Sequence, residues 1–200
     1  MSKRKVGKDK NIMEEDQQYL APIYNRFPLV LEKGKGTLVW DTNGRQYWDF
    51  TSGIGVNCLG FCDEQWGKAV FQQLMTLQHC SNLYYTEPAV VLAKTLIQRT
   101  GMKKVFFCNS GAEANECAIK IARKYGNGRG RGSEIITLVD SFHGRTMATI
   151  TATGQEHYHQ HFHPFVSGFR YTEPNLDDVE KALGDGKDVC AVLVEIIQGE

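Results

Sequence analysis

The sequence lacks an excess of charge of either sign, because 23 Lys and Arg residues balance 23 Asp and Glu residues. This balance excludes a basic nucleic-acid-binding arm or an acidic tail as the main design. Long apolar runs are also lacking: residues 189–197 reach about half of the ~20 residues that a membrane-spanning helix needs, and they contain Glu195. The first twenty residues hold no apolar run typical of a signal peptide. We therefore expect a cytoplasmic protein that binds neither nucleic acid nor a membrane.

No C-x-x-C pair occurs among the six cysteines, and several of them lie within apolar runs. Cysteine behaves there as a small hydrophobic residue, so we expect reduced thiols. Hydrophobic residues make up 42% of the chain and charged residues 23%. These shares are typical of globular proteins and predict a packed core.

The clearest local signal near the N-terminus is Asn43-Gly44, which has β-forming residues on both sides between Thr37 and Phe50. Asn-Gly favours a tight hairpin turn in which both residues have positive φ. A two-stranded hairpin is only marginally stable alone, so we expect this one to pack on something larger.

Two helices are predicted in the middle of the chain. Asp63 can cap the first, whose apolar residues recur at intervals of three and four: Trp66, Val70, Leu74 and Leu77. The second follows Thr86, has Pro88 in its first turn and stops at Gly101. Its predicted buried stripe consists of Val91, Leu92, Leu96 and Ile97.

From residue 103 onward, strands and helices alternate. Strands are predicted over residues 103–108, 134–139 and 189–195, and helices over residues 111–125, near 144–151 and over 177–183. Apolar strands separated by helices are typical of an α/β fold with a mostly parallel sheet flanked by helices.

Two biased stretches leave alternatives open. Residues 126–132 are rich in Gly and Arg, which suits either an RNA-binding segment or, more simply, a flexible surface loop. Four histidines alternate along the chain, so an extended backbone would place them on one face as metal ligands: His157, His159, His161 and His163. The interleaved Tyr158, Phe162 and Phe165 suit a half-buried aromatic loop equally well.

The most specific chemical signal is an anion site at Ser110, Gly111 and Ala112. Ser110 and Glu113 form an S-x-x-E capping box directly after an apolar run, so free N–H groups and the positive end of the helix dipole point outward. A capped helix without a ligand is the alternative. Neither G-x-G-x-x-G nor G-x-x-x-x-G-K-[ST] occurs, so a nucleotide-binding fold is unsupported.

Polar or aromatic residues follow the next two predicted strands. Phe142, which can stack on a planar ring, and Arg145, which can bind a carboxylate with two hydrogen bonds, come after residues 134–139. Glu195 ends the apolar strand that begins at Val189, where a carboxylate suits either a polar site or a structural ion pair. Ligands bind beyond the carboxyl ends of parallel strands, so we expect these residues to face the same crevice as Ser110.

Three motifs occur in order, and together they resemble one family: Asn-Ser-Gly-Ala-Glu-Ala-Asn-Glu from Asn109, Phe-His-Gly-Arg-Thr from Phe142 and Val-Glu-x-Ile-Gln-Gly-Glu from Val194. The chain resembles, from about Tyr19 onward, the class III, fold-type-I aminotransferases that use pyridoxal 5'-phosphate. Its nearest resemblance is to their acetylornithine and ornithine branch. The resemblance implies an N-terminal arm and hairpin over residues 1–60, belonging to a smaller domain, and the first part of the cofactor-binding domain over residues 61–200.

The resemblance also implies the roles of individual residues. Ser110, Gly111 and Ala112 would hold the cofactor phosphate, Phe142 would stack on the pyridine ring, and His143 and Glu195 would lie beside the cofactor. Arg145 would bind the α-carboxylate of the substrate. Glu200 and Tyr24 would lie on the substrate side of the site. The resemblance implies a homodimer and no metal.

The chain departs from the family in two motifs, where Phe61 to Glu64 and Ile196 replace the usual residues. It also contains no match to the family's aspartate at the pyridine nitrogen or to its Schiff-base lysine. We therefore expect this chain to be the N-terminal half of an enzyme and to be inactive alone, because the lysine moves the proton in the reaction.

For the complete protein the resemblance implies transamination of N-acetylornithine or a related ω-amine with 2-oxoglutarate, in arginine biosynthesis. Ornithine, succinylornithine or 4-aminobutyrate could replace the amino donor. A non-catalytic protein that binds pyridoxal phosphate or phosphate is the alternative from another class.

Overall fold

The computed structural model describes residues 6–199, and the chain forms two compact units, Met1–Tyr85 and Thr86–Glu200. The predicted division between residues 60 and 61 concerns the domains of the complete family fold and stays a prediction. The described helices are α1 (Val6–Tyr19), α2 (Ser52–Gly55, a left-handed turn), α3 (Glu64–Thr76), α4 (Glu87–Thr100), α5 (Gly111–Asn127), α6 (Met147–Ala152) and α7 (Leu176–Leu183). The strands are β1 (Leu31–Lys35), β2 (Leu38–Asp41), β3 (Gln46–Trp48), β4 (Glu134–Leu138), β5 (Phe169–Thr172) and β6 (Val189–Leu193).

The first unit contains an antiparallel sheet in the order β1-β2-β3. The hairpin prediction is confirmed, because β2 pairs with β3 from Leu38 opposite Trp48 to Trp40 opposite Gln46. The predicted turn geometry is wrong, since of Asn43 and Gly44 only Gly44 has a positive φ, at 82°. The carboxylate of Asp41 accepts hydrogen bonds from the N–H groups of Asn43 (2.9 Å) and Arg45 (2.8 Å) and so stabilises a wider turn.

Both central helices form where the sequence predicts them. The Asp63 side chain caps α3 by accepting a hydrogen bond from Trp66 N (2.7 Å), and α4 ends at Gly101 with φ of 72°. The predicted burial of the α4 stripe is wrong in the described part of the chain. Val91, Leu92 and Leu96 are exposed there, because no described element covers them.

The second unit is an α/β unit with a parallel sheet in the order β5-β4-β6. The central strand β4 lies in the core, where Ile135, Ile136 and Thr137 are buried. Helices α5 and α6 supply the buried Ile119 and Ile150. The predicted α/β fold class is confirmed.

The observed elements of this unit differ from the prediction at three places. Residues 103–108 form no strand, because a strand requires a paired neighbour and none of the described residues pairs with this segment. Strand β5 was not predicted, since it is only four residues long and half polar. Helix α6 begins at Met147 rather than near residue 144. No helix in the described part of the chain is long and apolar enough to cross a membrane.

Of the two alternatives for the histidine segment, the extended strand is not observed. Residues Glu156–Tyr158 form a 3-10 turn, so the four histidines do not share one face. His159 is buried and its Nε2 donates to the carbonyl oxygens of Ile150 (3.0 Å) and Thr153 (2.8 Å). Across residues 6–199 no three His, Cys, Asp or Glu side chains lie together as a metal site would require. Residues 128–133 form a loop between α5 and β4, as predicted for the Gly-rich stretch.

Candidate functional site

The N-terminus of α5 presents a group of free donors. Ser110 is its N-cap, and the Ser110 Oγ accepts a hydrogen bond from Glu113 N (3.2 Å). The Glu113 carboxylate reaches back to the N–H of Asn109 (2.7 Å), one residue earlier than a standard capping box places it. Within the described chain, the N–H groups of Ser110, Gly111 and Ala112 have no hydrogen-bond acceptor. Space also lies open beside Gly111, where a Cβ would meet no atom within 4 Å.

The loop after β4 lies against this helix end. Gly144 has a φ of 131°, and a Cβ added to it would come within 2.8 Å of Ala112 Cβ. Only glycine allows so close an approach here. Asn115 Nδ2 donates a hydrogen bond to the carbonyl oxygen of His143 (2.8 Å), one turn along α5. The predicted convergence of these two segments is therefore observed.

The segment after β6 joins the same site through Glu195. Its Oε2 accepts a hydrogen bond from the N–H of Phe142 at 3.1 Å. Glu195 is half-buried and lies two residues beyond the end of β6, beside the loop that follows β4. The segments that follow β4 and β6 are thus joined to each other, and the first of them lies against the start of α5, as expected for an α/β ligand site.

His143 is held as a neutral side chain inside this site. Its ring is 4% exposed, and Nε2 lies 3.0 Å from Thr137 Oγ1. The Thr137 hydroxyl donates its single proton to the carbonyl oxygen of Ala152 (2.7 Å). Toward His143 it can therefore only accept, which places the proton of the neutral imidazole on Nε2. Burial lowers the pKa of His143 below 6.5, while the Glu195 carboxylate opposes this shift.

Arg145 lies at the exposed edge of the site over two aromatic rings. Its guanidinium carbon is 5.6 Å from the centroid of the Phe142 ring and 5.4 Å from that of Tyr158. The two rings are 5.4 Å apart and tilted by 54°. No carboxylate of the described residues forms an ion pair with Arg145. Its planar N–H fork therefore remains available for a carboxylate ligand.

The other two predicted substrate residues lie outside the unit or the residues that form this cluster. Tyr24 belongs to the unit Met1–Tyr85, where it is 61% exposed and the guanidinium of Arg26 lies 5.7 Å from its ring. Glu200 lies outside the described residues. The roles of both residues stay predictions.

Sequence reasoning missed the polar residues that hold the site together. Thr137 lies within an apolar strand. Because buried hydroxyl groups are normally hydrogen-bonded, a single threonine in such a run indicates a buried hydrogen bond. Glu116 is the last residue of the motif that begins at Asn109. Its Oε1 accepts hydrogen bonds from the Thr146 hydroxyl and from Ala148 N. No local pattern points to this contact, which joins residues 30 positions apart.

The donor set of the site fits a phosphate ester carried by an aromatic ring. Free backbone N–H groups at the start of a 17-residue helix, together with the Ser110 hydroxyl, attract an anion. Gly111 leaves room for phosphate oxygens to approach the backbone. Phe142 supplies an aromatic ring on the loop that packs beside Ala112. Pyridoxal 5'-phosphate has both of the groups that these residues can hold.

Comparison with known proteins agrees with this arrangement. Residues 19–200 match the family described as aminotransferase class-III. The acetylornithine aminotransferase of Haemophilus ducreyi is 52% identical over 191 residues, which cover 94% of this chain and 49% of that protein. That of Methanocaldococcus jannaschii is 44% identical over 194 residues, which cover 95% of this chain and 48% of that protein. The chain spans about half the length of the curated relatives it matches.

Solved structures show the same fold. The ornithine aminotransferase from Toxoplasma gondii, described with partial occupancy of PLP at its active site, has a TM-score of 0.89 at 29% identity, covering 96% of this chain and 46% of that chain. The ω-transaminase from Pseudomonas jessenii in complex with PMP has a TM-score of 0.83 at 28% identity, covering 93% and 49%. Because the family match extends over residues 19–200 and the named relatives agree with it, this chain belongs to the class-III aminotransferases, a family that depends on pyridoxal phosphate.

Proposed function

We propose that the complete protein transfers the ω-amino group of N-acetylornithine to 2-oxoglutarate, with pyridoxal 5'-phosphate as cofactor, in arginine biosynthesis. The observation that carries this proposal is that Gly144, the neighbour of Arg145, packs beside Ala112 at the free N–H groups of α5, while the Arg145 guanidinium lies over the Phe142 ring. Relatives named acetylornithine aminotransferase, at 44–52% identity, support the choice of substrate. We also propose a homodimer, on the family resemblance alone, and a cytoplasmic location, on the sequence of the first twenty residues.

Ser110, Gly111 and Ala112 would hold the cofactor phosphate. Their N–H groups donate without moving, because α5 already orients them, and the helix dipole favours the negative charge. Ser110 Oγ would remain the cap acceptor of Glu113 N while its hydroxyl proton turns toward the phosphate. When bound, the cofactor supplies an electron sink for the carbon that carries the amino group.

Phe142, His143 and Glu195 would surround the cofactor ring. Glu195 fixes the backbone of Phe142 and so the direction of the stacking ring. The Thr137 hydroxyl fixes His143 with its proton on Nε2, which leaves Nδ1 as an acceptor. These contacts orient the ring before any substrate arrives, which lowers the cost of binding.

Arg145 would bind the carboxylate that the amino donor and the keto acid share. A guanidinium held over two rings pairs with a carboxylate more strongly than one in open water, since the rings replace part of its hydration. Tyr24 and Glu200 would act on the substrate side, Glu200 by letting the site accept first an ω-amine and then a keto acid. The remaining part of the protein would supply the lysine that moves the proton.

The decisive experiment compares amino donors with the complete, cofactor-loaded protein. We expect kcat/KM with 2-oxoglutarate to be highest for N-acetylornithine among four donors: N-acetylornithine, succinylornithine, ornithine and 4-aminobutyrate. A preference for ornithine or 4-aminobutyrate would correct the substrate and retain the transaminase. Tight cofactor binding without turnover of any donor would overturn the proposal in favour of a non-catalytic binding protein.

A further inference from the structure

The loop that carries Arg145 is tied to α5 at two neighbouring positions. Asn115 Nδ2 donates to the carbonyl oxygen of His143 at 2.8 Å. Glu116 Oε1 accepts from the hydroxyl of Thr146 and from the N–H of Ala148, the latter at 3.3 Å. The two contacts bracket Arg145 in sequence, one two residues before it and the other directly after it.

Glu116 is suited to hold this loop because it accepts from Ala148 N, which finds no acceptor within α6, and from the hydroxyl of the N-cap Thr146. Ala148 N is one of the free N–H groups at the start of α6, and the Glu116 carboxylate accepts from it across the gap between helices. Thr146 is the N-cap of α6, and its own N–H donates to Thr149 Oγ1 at 3.0 Å. The charged acceptor strengthens both hydrogen bonds.

The position of the Arg145 backbone matters because its side chain has little else to hold it. The guanidinium rests over the Phe142 and Tyr158 rings and has no ion-pair partner within residues 6–199. On the other side, Gly144 packs beside Ala112 at a place where an added Cβ would come within 2.8 Å of Ala112 Cβ, so only glycine fits there. A small displacement of the loop would therefore move the N–H fork away from a carboxylate.

From these contacts we infer that Glu116, assisted by Asn115, is a positioning residue that fixes Arg145 for a substrate carboxylate. Helix α5 then has two separate functions, because its N-terminus faces the phosphate while its second turn sets the carboxylate site. This inference rests on the proposed function in one respect, namely that Arg145 binds the carboxylate.

The test uses the complete, cofactor-loaded protein with the variants E116A and E116Q. Glutarate, a dicarboxylate that cannot react, is titrated calorimetrically, and KM and kcat for 2-oxoglutarate are measured alongside. Gln keeps an oxygen acceptor, whereas Ala removes it. We expect E116A to weaken glutarate binding and to raise KM about tenfold, as loss of a charge-assisted hydrogen bond predicts. E116Q keeps the acceptor but loses its charge and should lie between the wild type and E116A, and the Kd of the cofactor should change by less than about twofold in both variants.

Two further measurements separate positioning from mere folding. Lys120→Ala, at an exposed residue of the same helix, is the matched control and should leave glutarate binding unchanged. Hydrogen exchange of Ala148 N should accelerate in E116A and remain slow in E116Q. Equal loss of cofactor and glutarate affinity in E116A would overturn the inference, because Glu116 would then act through α5 as a whole. Unchanged glutarate affinity in E116A would also overturn it.

If E116A does not fold, Thr146→Val and Thr146→Ser address the same contact from the other side. Val removes the hydroxyl that donates to Glu116 and Ser keeps it. Weaker glutarate binding in T146V than in T146S supports the inference, and equal binding overturns it. Failure of the proposed function would look different, as a wild-type protein that binds glutarate but transaminates no donor. The inference is then still decided by the glutarate titrations.

Discussion

The backbone N–H of Phe142 donates a hydrogen bond to Glu195 Oε2 at 3.1 Å, which joins the segments that follow β4 and β6. These residues are 53 positions apart in sequence. A half-buried carboxylate without a partner would be costly, and this contact supplies one. Glu195 therefore has a structural role even before a cofactor is considered. We expect its removal to alter first the position of the Phe142 ring.

Replacing Glu195 with Ala should weaken pyridoxal phosphate binding, because Phe142 loses the contact that directs its ring. We expect the Kd of the cofactor, measured by absorbance titration of the complete protein, to rise about tenfold, which corresponds to about 1.4 kcal/mol. Glu195→Gln keeps an oxygen that can accept from Phe142 N and is the control. If both variants bind the cofactor as the wild type does, Glu195 does not orient the ring.

Two substitutions should separate the two roles of Ser110, as helix cap and as ligand of an anion. Ser110→Ala removes the acceptor of Glu113 N and should lower the free energy of unfolding by about 1 kcal/mol. Ser110→Asp keeps a good cap but adds a negative charge at the predicted phosphate site.

We therefore expect S110D to fold with nearly wild-type stability in urea denaturation and yet to bind the cofactor much more weakly than S110A. Cofactor affinity that falls equally in both variants would indicate a role for the hydroxyl alone. If S110D binds the cofactor with wild-type affinity, the cofactor phosphate does not bind at this helix end.

Local signals explain why this helix end was predictable. Ser110 and Glu113 are three residues apart, and capping needs only such neighbours. The packing on α5 of the loop that contains Phe142 and Arg145 was also predictable, because it follows from a general rule about parallel sheets. Residues 103–108 show the limit, since their composition favours a strand but a strand forms only beside a partner. Contacts such as that of Glu116 with Thr146 depend on tertiary packing and leave no sequence pattern.

Arg145→Ala should raise KM for the amino donor and for the keto acid alike, because both present a carboxylate to the same guanidinium. A charge-assisted pair is worth about 1.5–3 kcal/mol, so we expect an increase of roughly 10- to 150-fold in steady-state assays of the complete protein. Arg145→Lys should recover only part of this loss, since lysine cannot bind a carboxylate through a planar fork. Unchanged KM values in R145A would assign the carboxylate to another residue.

Stability should fall as the pH decreases through 6.5, and His143 should account for part of the loss. Burial lowers the pKa of His143 below its ordinary value of 6.5, with Glu195 opposing the shift. Below pH 6.5 the unfolded chain therefore binds a proton that the folded protein does not, so protons favour unfolding. The loss begins at the unfolded pKa and stops growing once the pH falls below the folded pKa.

Urea denaturation at about pH 7.5 and about pH 5.5 measures this contribution, for which one proton sets an upper limit of about 1.4 kcal/mol per pH unit. His143→Gln keeps a polar side chain near Thr137 but cannot titrate, so its free energy of unfolding should drop less between the two pH values than that of the wild type. Both ring nitrogens carry protons in the charged form of His143. Nε2 therefore still donates to Thr137 Oγ1 after His143 takes up a proton. The predicted effect therefore comes from burying the charge rather than from losing the Thr137 contact, and equal pH dependence in both proteins would show that His143 keeps its ordinary pKa when folded.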